Sequence, residues 1–168
     1  MSLYEQYRPD TFGAVLGQDK AVSQIERLCA AGLGGRALWI SGASGTGKTT
    51  LARIAAGTIA DDFFVQEYDS ADQLSGPEFD SIERTMCLYG MGKGGRVFII
   101  NEAHGLRKSA TRRFLGILER IPSHVCFIFT TTKQGQDQLF DDNIDASPLL
   151  SRCNVVPNTA GGLPLNTV

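Results

Sequence analysis

The sequence lacks any paired cysteine motif, any long apolar run and any marked excess of charge of one sign. Its four cysteines, Cys29, Cys87, Cys126 and Cys153, lie far apart and form no C-x-x-C pair. That argues against a zinc site and against the disulfide framework of a small secreted domain. Reduced thiols are expected. No stretch approaches the roughly 18 consecutive apolar residues of a membrane span, and residues 1–8 lack the apolar run of a signal peptide. A soluble protein with no membrane partner is expected, cytoplasmic, or nuclear in a eukaryotic cell. Lys and Arg number 16 against 18 Asp and Glu, for a formal net charge of −2. Any grip on nucleic acid would therefore come from a local basic patch or from surfaces shared between subunits, not from overall charge.

What is present is enough for one real core: 168 residues, 42% of them apolar. A polar opening over residues 4–17 gives way to a helical pattern over 19–31, with Val22, Ile25, Leu28 and Cys29 on one face. Short apolar runs at 37–40, 97–100 and 125–130, with a β-rich segment at 63–68, read as strands. Helical patterns over 48–60, 77–88 and 109–121 alternate with them, and a short helical or extended piece is expected over 148–156. Strands that are apolar throughout and alternate with helices imply a parallel sheet covered on both faces, an α/β fold.

Gly42-Ala43-Ser44-Gly45-Thr46-Gly47-Lys48-Thr49 satisfies G-x-x-x-x-G-K-[ST] between an apolar strand and the first turn of a helix, with Thr50 directly after it. Context gives the match its weight. Glycines let the backbone curl so that successive N–H groups face phosphate oxygens, and the helix N-terminus adds partial positive charge. Lys48 is expected to reach the terminal phosphates of ATP, and Thr49 to offer its hydroxyl to Mg²⁺.

Hydrolysis needs a group that orients and deprotonates water, and P-loop enzymes place an acid at the end of a neighbouring strand for it. Glu102 follows four apolar residues and Asn101, so it emerges where ligands bind in such sheets. It is the candidate base. Asn101 stands where an aspartate would help hold the Mg²⁺ shell. An amide can accept a hydrogen bond from a metal-bound water but contributes no charge. Either the contact runs through water and turnover survives, intact or slow, or the chain binds ATP and hydrolyses it poorly.

Further segments resemble one family. Tyr4-Glu5-Gln6-Tyr7-Arg8-Pro9, followed by Phe12, Val15 and Gly17-Gln18, is similar to the opening of clamp-loader subunits, the replication factor C small subunits and the bacterial tau/gamma subunit. Residues 65–72 (VQEYDSAD), 106–127 and the Asn101-Glu102-Ala103-His104 box resemble the same family, apart from the asparagine. Thr132, the last of Thr130-Thr131-Thr132, falls on its sensor-1 position, where an Asn or Thr reads the γ-phosphate. Pro148-Leu149-Leu150-Ser151-Arg152-Cys153 matches its Ser-Arg-Cys signature.

The resemblance implies an AAA+ P-loop NTPase, a three-layer sandwich around a central parallel five-stranded sheet. It further implies a base pocket for adenine from Tyr7, Arg8, Pro9, Leu16 and Gly17, and an arginine finger at Arg152 acting on a neighbouring subunit. Partners implied are other AAA+ subunits in a ring, a sliding clamp and primer-template DNA, with Lys108, Arg112 and Arg113 as phosphate contacts. Residues 1–18 are expected to form the adenine-contacting segment, 19–160 the ATPase domain, and 161–168 the start of a linker to a lid domain that is missing. Two other roles remain open: an ATP-binding scaffold that donates an arginine finger, and a replication-associated recombination ATPase similar to the Werner-interacting protein family.

Overall fold

The computed structural model describes residues 7–132 and 147–158. The first residues of the opening motif, Tyr4, Glu5 and Gln6, and the expected linker at 161–168 lie outside them. Five strands make one sheet: β1 (Arg36–Gly42), β2 (Val65–Tyr68), β3 (Arg96–Ile100), β4 (Val125–Thr132) and β5 (Asn154–Pro157). Their spatial order is β2-β3-β4-β1-β5, and every pairing is parallel. Among the described residues five α-helices connect or flank them: α1 (Asp19–Ala31), α2 (Lys48–Gly57), α3 (Gly76–Thr85), α4 (Lys108–Leu118) and the short α5 (Ser147–Ser151).

Because side chains alternate along a strand, the central strands feed two separate cores. On one face Trp39, Phe98, Ile100, Phe127 and Phe129 meet Phe79 and Ile82 of α3, Phe114 and Ile117 of α4, and Leu149 of α5. On the other, Leu38, Ile40, Val97, Ile99 and Ile128 meet Ile25 of α1 and Leu51, Ala52, Ala55 and Ala56 of α2. The small residues of α2 let it lie close against β4 and β1, so that its N-terminus is held directly over the carboxyl ends of those strands. This is the expected three-layer sandwich.

The elements depart from the sequence reading mainly at their ends. Residues 62–64 form a turn of 3-10 helix ahead of β2, closed by the Phe64 N–H donating to the Asp61 carbonyl at 2.8 Å, while the Asp61 side chain accepts from the Lys93 amide at 3.0 Å. The helix expected over 77–88 starts one residue earlier, on a capping box in which Ser75 and Glu78 satisfy each other's groups. The segment over 148–156 holds both forms that were open to it, α5 and then β5.

Candidate nucleotide site

The loop between β1 and α2 is shaped by its glycines. Gly45 and Gly47 take φ of 76° and 79°, a backbone region that a Cβ disfavours. A Cβ at Gly42 would collide with the carbonyl oxygen of Asn158. The loop ends at the N-terminus of α2, so its free amide groups and the helix dipole converge on one place. Lys48 is only 8% exposed and donates from Nζ to the Ala43 carbonyl at 2.7 Å. Burial pulls its pKa down, and the Glu102 carboxylate offsets this in part.

Two neighbouring strands reach the same place. Thr132 of β4 stands in register opposite Gly42, so the sheet brings the sensor-1 candidate abreast of the loop. Asn101, just past β3, is buried. Its Oδ1 accepts from Thr49 Oγ1 at 3.1 Å and from Thr130 Oγ1 at 2.7 Å. Thr49 thus gives its proton to an amide oxygen and keeps its own oxygen lone pairs for a cation. One hydroxyl beside one neutral amide oxygen suits a magnesium ion held largely through water. In this respect the residues fit.

Glu102 is the one non-glycine residue with positive φ among those described, at 50°, a conformation costing of order 1–3 kcal/mol and found most often where function requires it. It turns the chain off β3, and its Oε2 lies 3.3 Å from His104 Nδ1. That same nitrogen is 3.3 Å from Thr131 Oγ1. Acid, imidazole and threonine hydroxyl therefore form a line between the ends of β3 and β4.

Arg152 is elsewhere. It precedes β5, whose Asn154 pairs with Leu38 and whose Pro157 pairs with Ser41. At ~3.3 Å per residue it sits about 20 Å from Gly42, at the opposite end of the sheet. Its guanidinium donates to Glu119 Oε1 at 2.6 Å and to the Pro148 carbonyl at 3.0 Å. It cannot reach the phosphate loop of its own chain. Of the opening segment, Arg8 and Pro9 line a cavity of about 570 Å³ with Arg53, Ile54 and Gly57 in the carboxyl half of α2, Thr58 just beyond it, and Asp62 and Lys93, with no residue of the phosphate loop among its walls. Tyr7 and Leu16 are turned to solvent, 77% and 89% exposed, and Gly17 takes φ of 76°. The structure thus brings two of the five adenine candidates against α2.

Comparisons with known proteins bear on the family and the fold. Residues 38–156 match the family model "ATPase family associated with various cellular activities (AAA)". The chain belongs to the AAA ATPase family. This AAA domain is 31% identical over 157 residues to the DNA polymerase III subunit gamma/tau of Mycobacterium tuberculosis, covering 79% of this chain and 27% of that protein. It is 29% identical over 175 residues to the DNA polymerase III subunit gamma of Buchnera aphidicola, covering 90% and 45%. The chain thus spans between a quarter and a half of the length of these relatives. Among solved structures, a RuvB variant from Thermotoga maritima superposes with a TM-score of 0.68 at 20% identity, covering 90% of this chain and 48% of that one. A gamma-subunit-related protein of the same organism gives 0.64 at 14% identity, covering 83% and 45%. At such identities the likeness concerns the fold, which is the AAA fold. Among the described residues no helix is long and apolar enough to cross a membrane.

Several residues of this AAA site were not singled out by sequence. Glu67 accepts from Asn101 Nδ2 at 2.7 Å and from Arg53 Nε at 2.6 Å. Asn158 donates from Nδ2 to the Thr46 carbonyl at 2.9 Å, and its backbone N–H donates to Ser41. The only sequence signal was an acid inside a strand, at Glu67; Asn158 gave none. Among the DNA candidates, Lys108 and Arg112 are exposed on α4. Arg113 instead ion-pairs with Asp80 and Glu83 and stacks over Phe79, tying α4 to α3.

Proposed function

We propose that the chain binds ATP with Mg²⁺ in the loop from Gly42 to Thr49 and hydrolyses it as one subunit of a ring that opens and loads a sliding clamp on primed DNA. The observation that supports this most is the convergence of Lys48, Thr49, Asn101 and Thr132 on the carboxyl ends of β1, β3 and β4. The gamma and tau relatives support the replication setting.

In this reading the loop amides and Lys48 hold the phosphates and leave the Ala43 carbonyl. Thr49 and Asn101 hold the magnesium ion, which when bound neutralises phosphate charge. Glu102 orients and deprotonates water, with His104 fixing its carboxylate. Thr132 contacts the terminal phosphate from the side. Arg152, too far from its own loop to serve it, acts on a neighbouring subunit as the Ser-Arg-Cys resemblance implies, exchanging Glu119 for the neighbour's phosphates; an arginine supplied in this way is worth about 10³ to 10⁵ in rate. Arg8, Pro9 and the adjoining face of α2 are proposed to meet the base.

A second reading has support from one observation. The residue at 101 is a neutral amide bonded on both of its ends, so the domain could hold ATP for assembly and serve chiefly as an arginine donor. Turnover by the assembled oligomer separates the two. Glu102→Gln is expected to slow ATP hydrolysis at least about 100-fold with affinity retained; a rate equal to that of the native protein selects the scaffold reading.

A further inference from the structure

Asn101 is the buried meeting point of a network that joins three strands and a helix and opens to solvent at Arg53. Glu67 of β2, Asn101 after β3 and Thr130 of β4 all project from the sheet face that α2 covers, the face of Val65, Ile99 and Ile128. The Asn101 oxygen accepts from Thr49 and Thr130, while its nitrogen donates to Glu67 Oε1 at 2.7 Å. The other oxygen of Glu67 is held by Arg53 Nε at 2.6 Å. Arg53 lies one helical turn after Thr49 on α2, so the network closes on the element that carries the phosphate loop.

An asparagine amide has two ends of nearly equal shape and opposite hydrogen-bonding sense. Which end faces Thr49 decides what Thr49 can do. Facing the amide oxygen, Thr49 donates its proton and keeps its lone pairs for a cation. Facing the amide nitrogen, it would have to accept, and the lone pair would be lost to the metal. A carboxylate only accepts, so Glu67 admits the nitrogen and repels the oxygen.

We propose that Glu67, clamped by Arg53, is the positioning residue of the magnesium-nucleotide site. It locks the Asn101 amide with its oxygen towards Thr49. The inference rests on the reading that Gly42 to Thr49 binds a magnesium nucleotide. It also means that Asn101→Asp is no simple repair: it removes the donor to Glu67 and sets two carboxylates against each other. Glu67→Gln supplies a donor and relieves that clash.

The test measures the affinity of a fluorescent ATP analogue with Mg²⁺ and with excess EDTA, together with the Asn101 side-chain NH₂ resonance of nucleotide-free, ¹⁵N-labelled protein. Glu67→Gln is expected to reduce the gain in affinity due to Mg²⁺ about tenfold, to leave affinity in EDTA within about twofold, and to move the Asn101 resonance. In the Asn101→Asp background the same change is expected to reverse sign and strengthen Mg²⁺-dependent binding. If Glu67→Gln does not fold, Glu67→Asp, which keeps charge beside Arg53 and withdraws the acceptor from Asn101, is expected to lose the Mg²⁺ gain in the same way. Equal loss with and without Mg²⁺, or additive effects of the two substitutions, overturns the proposal and leaves Glu67 a purely structural residue. If the native protein binds no nucleotide, the underlying reading falls. An Asn101 resonance indifferent to Glu67→Gln overturns the positioning role whatever the nucleotide does.

Discussion

The side chain of Asn158 donates to the carbonyl oxygen of Thr46 at 2.9 Å, across 112 residues of sequence. With its backbone N–H bonded to Ser41, it ties the end of β5 to both sides of the phosphate loop. Gly42 has no Cβ, which is what allows the Asn158 backbone to lie so close. Asn158→Ala is expected to lower unfolding free energy by about 1–2 kcal/mol in urea titrations, the cost of leaving a buried acceptor without its partner. It is also expected to weaken ATP binding several-fold, since the loop loses an external strut. Unchanged affinity would mean that the loop holds its shape through its own contacts alone.

Two buried thiols weaken the fold at alkaline pH. Burial pushes the Cys153 thiol up to about 12 and the fully buried Cys126 thiol higher still. A folded pKa above the ordinary 9.0 means that these groups contribute stability that is fully present below pH 9 and lost as pH rises towards the folded value. Between pH 9 and 12 each is expected to cost about 1.4 kcal/mol per pH unit. Urea midpoints measured across that range should fall steeply in the native protein and less steeply in Cys153→Ala.

These two cases show which parts of the molecule could be read in the sequence. Strands β1, β3 and β4 are buried on both faces, so they appear as unbroken apolar runs, and the phosphate loop announces itself by its glycines and its place between a strand and a helix. Glu102 became a candidate because it stands just past such a run, and Thr132 through the family resemblance alone. Contacts between distant segments leave no comparable pattern. Glu67 meets Asn101 at a separation of 34 residues, and Asn158 reaches Thr46 from the far edge strand, so neither partner marks the other. Exposure was equally hidden: Leu16 sits in the family-like opening yet faces solvent. Arg113 lies in a basic run on α4, and only the packing of α3 reveals that its charge is already matched by Asp80 and Glu83.

The position of Arg152 separates two effects. Arg152→Ala is expected to leave ATP affinity of the single chain within about twofold, because the residue lies at the other end of the sheet from the loop. In an assembled oligomer it should lower turnover at least about 100-fold. Loss of turnover in a mixture where only the neighbour's loop is intact would identify the action as between subunits. Full turnover in the assembled variant would remove Arg152 from the site.

The three basic residues of α4 should behave differently on DNA. Lys108→Ala and Arg112→Ala are each expected to reduce the slope of log affinity against log salt for primer-template DNA by about 0.9, the loss of one phosphate contact. Arg113→Ala is expected to leave that slope unchanged and to lower stability instead, since it removes the ion pairs that link α4 to Asp80 and Glu83 of α3. Binding measured at several salt concentrations, with urea titrations alongside, distinguishes the two patterns.

The most direct test of the nucleotide site is calorimetric titration of ATP with Mg²⁺ into the native chain and into Lys48→Ala. Lys48 is the buried cation at the focus of the loop, and its removal takes away the charge opposite the phosphates while α2 and its core contacts remain. The native chain is expected to bind one ATP, and the variant to bind at least about 100-fold more weakly with an unchanged melting profile. Absence of binding by the native chain, or equal affinity in the two, would contradict the assignment of Gly42 to Thr49 as the site.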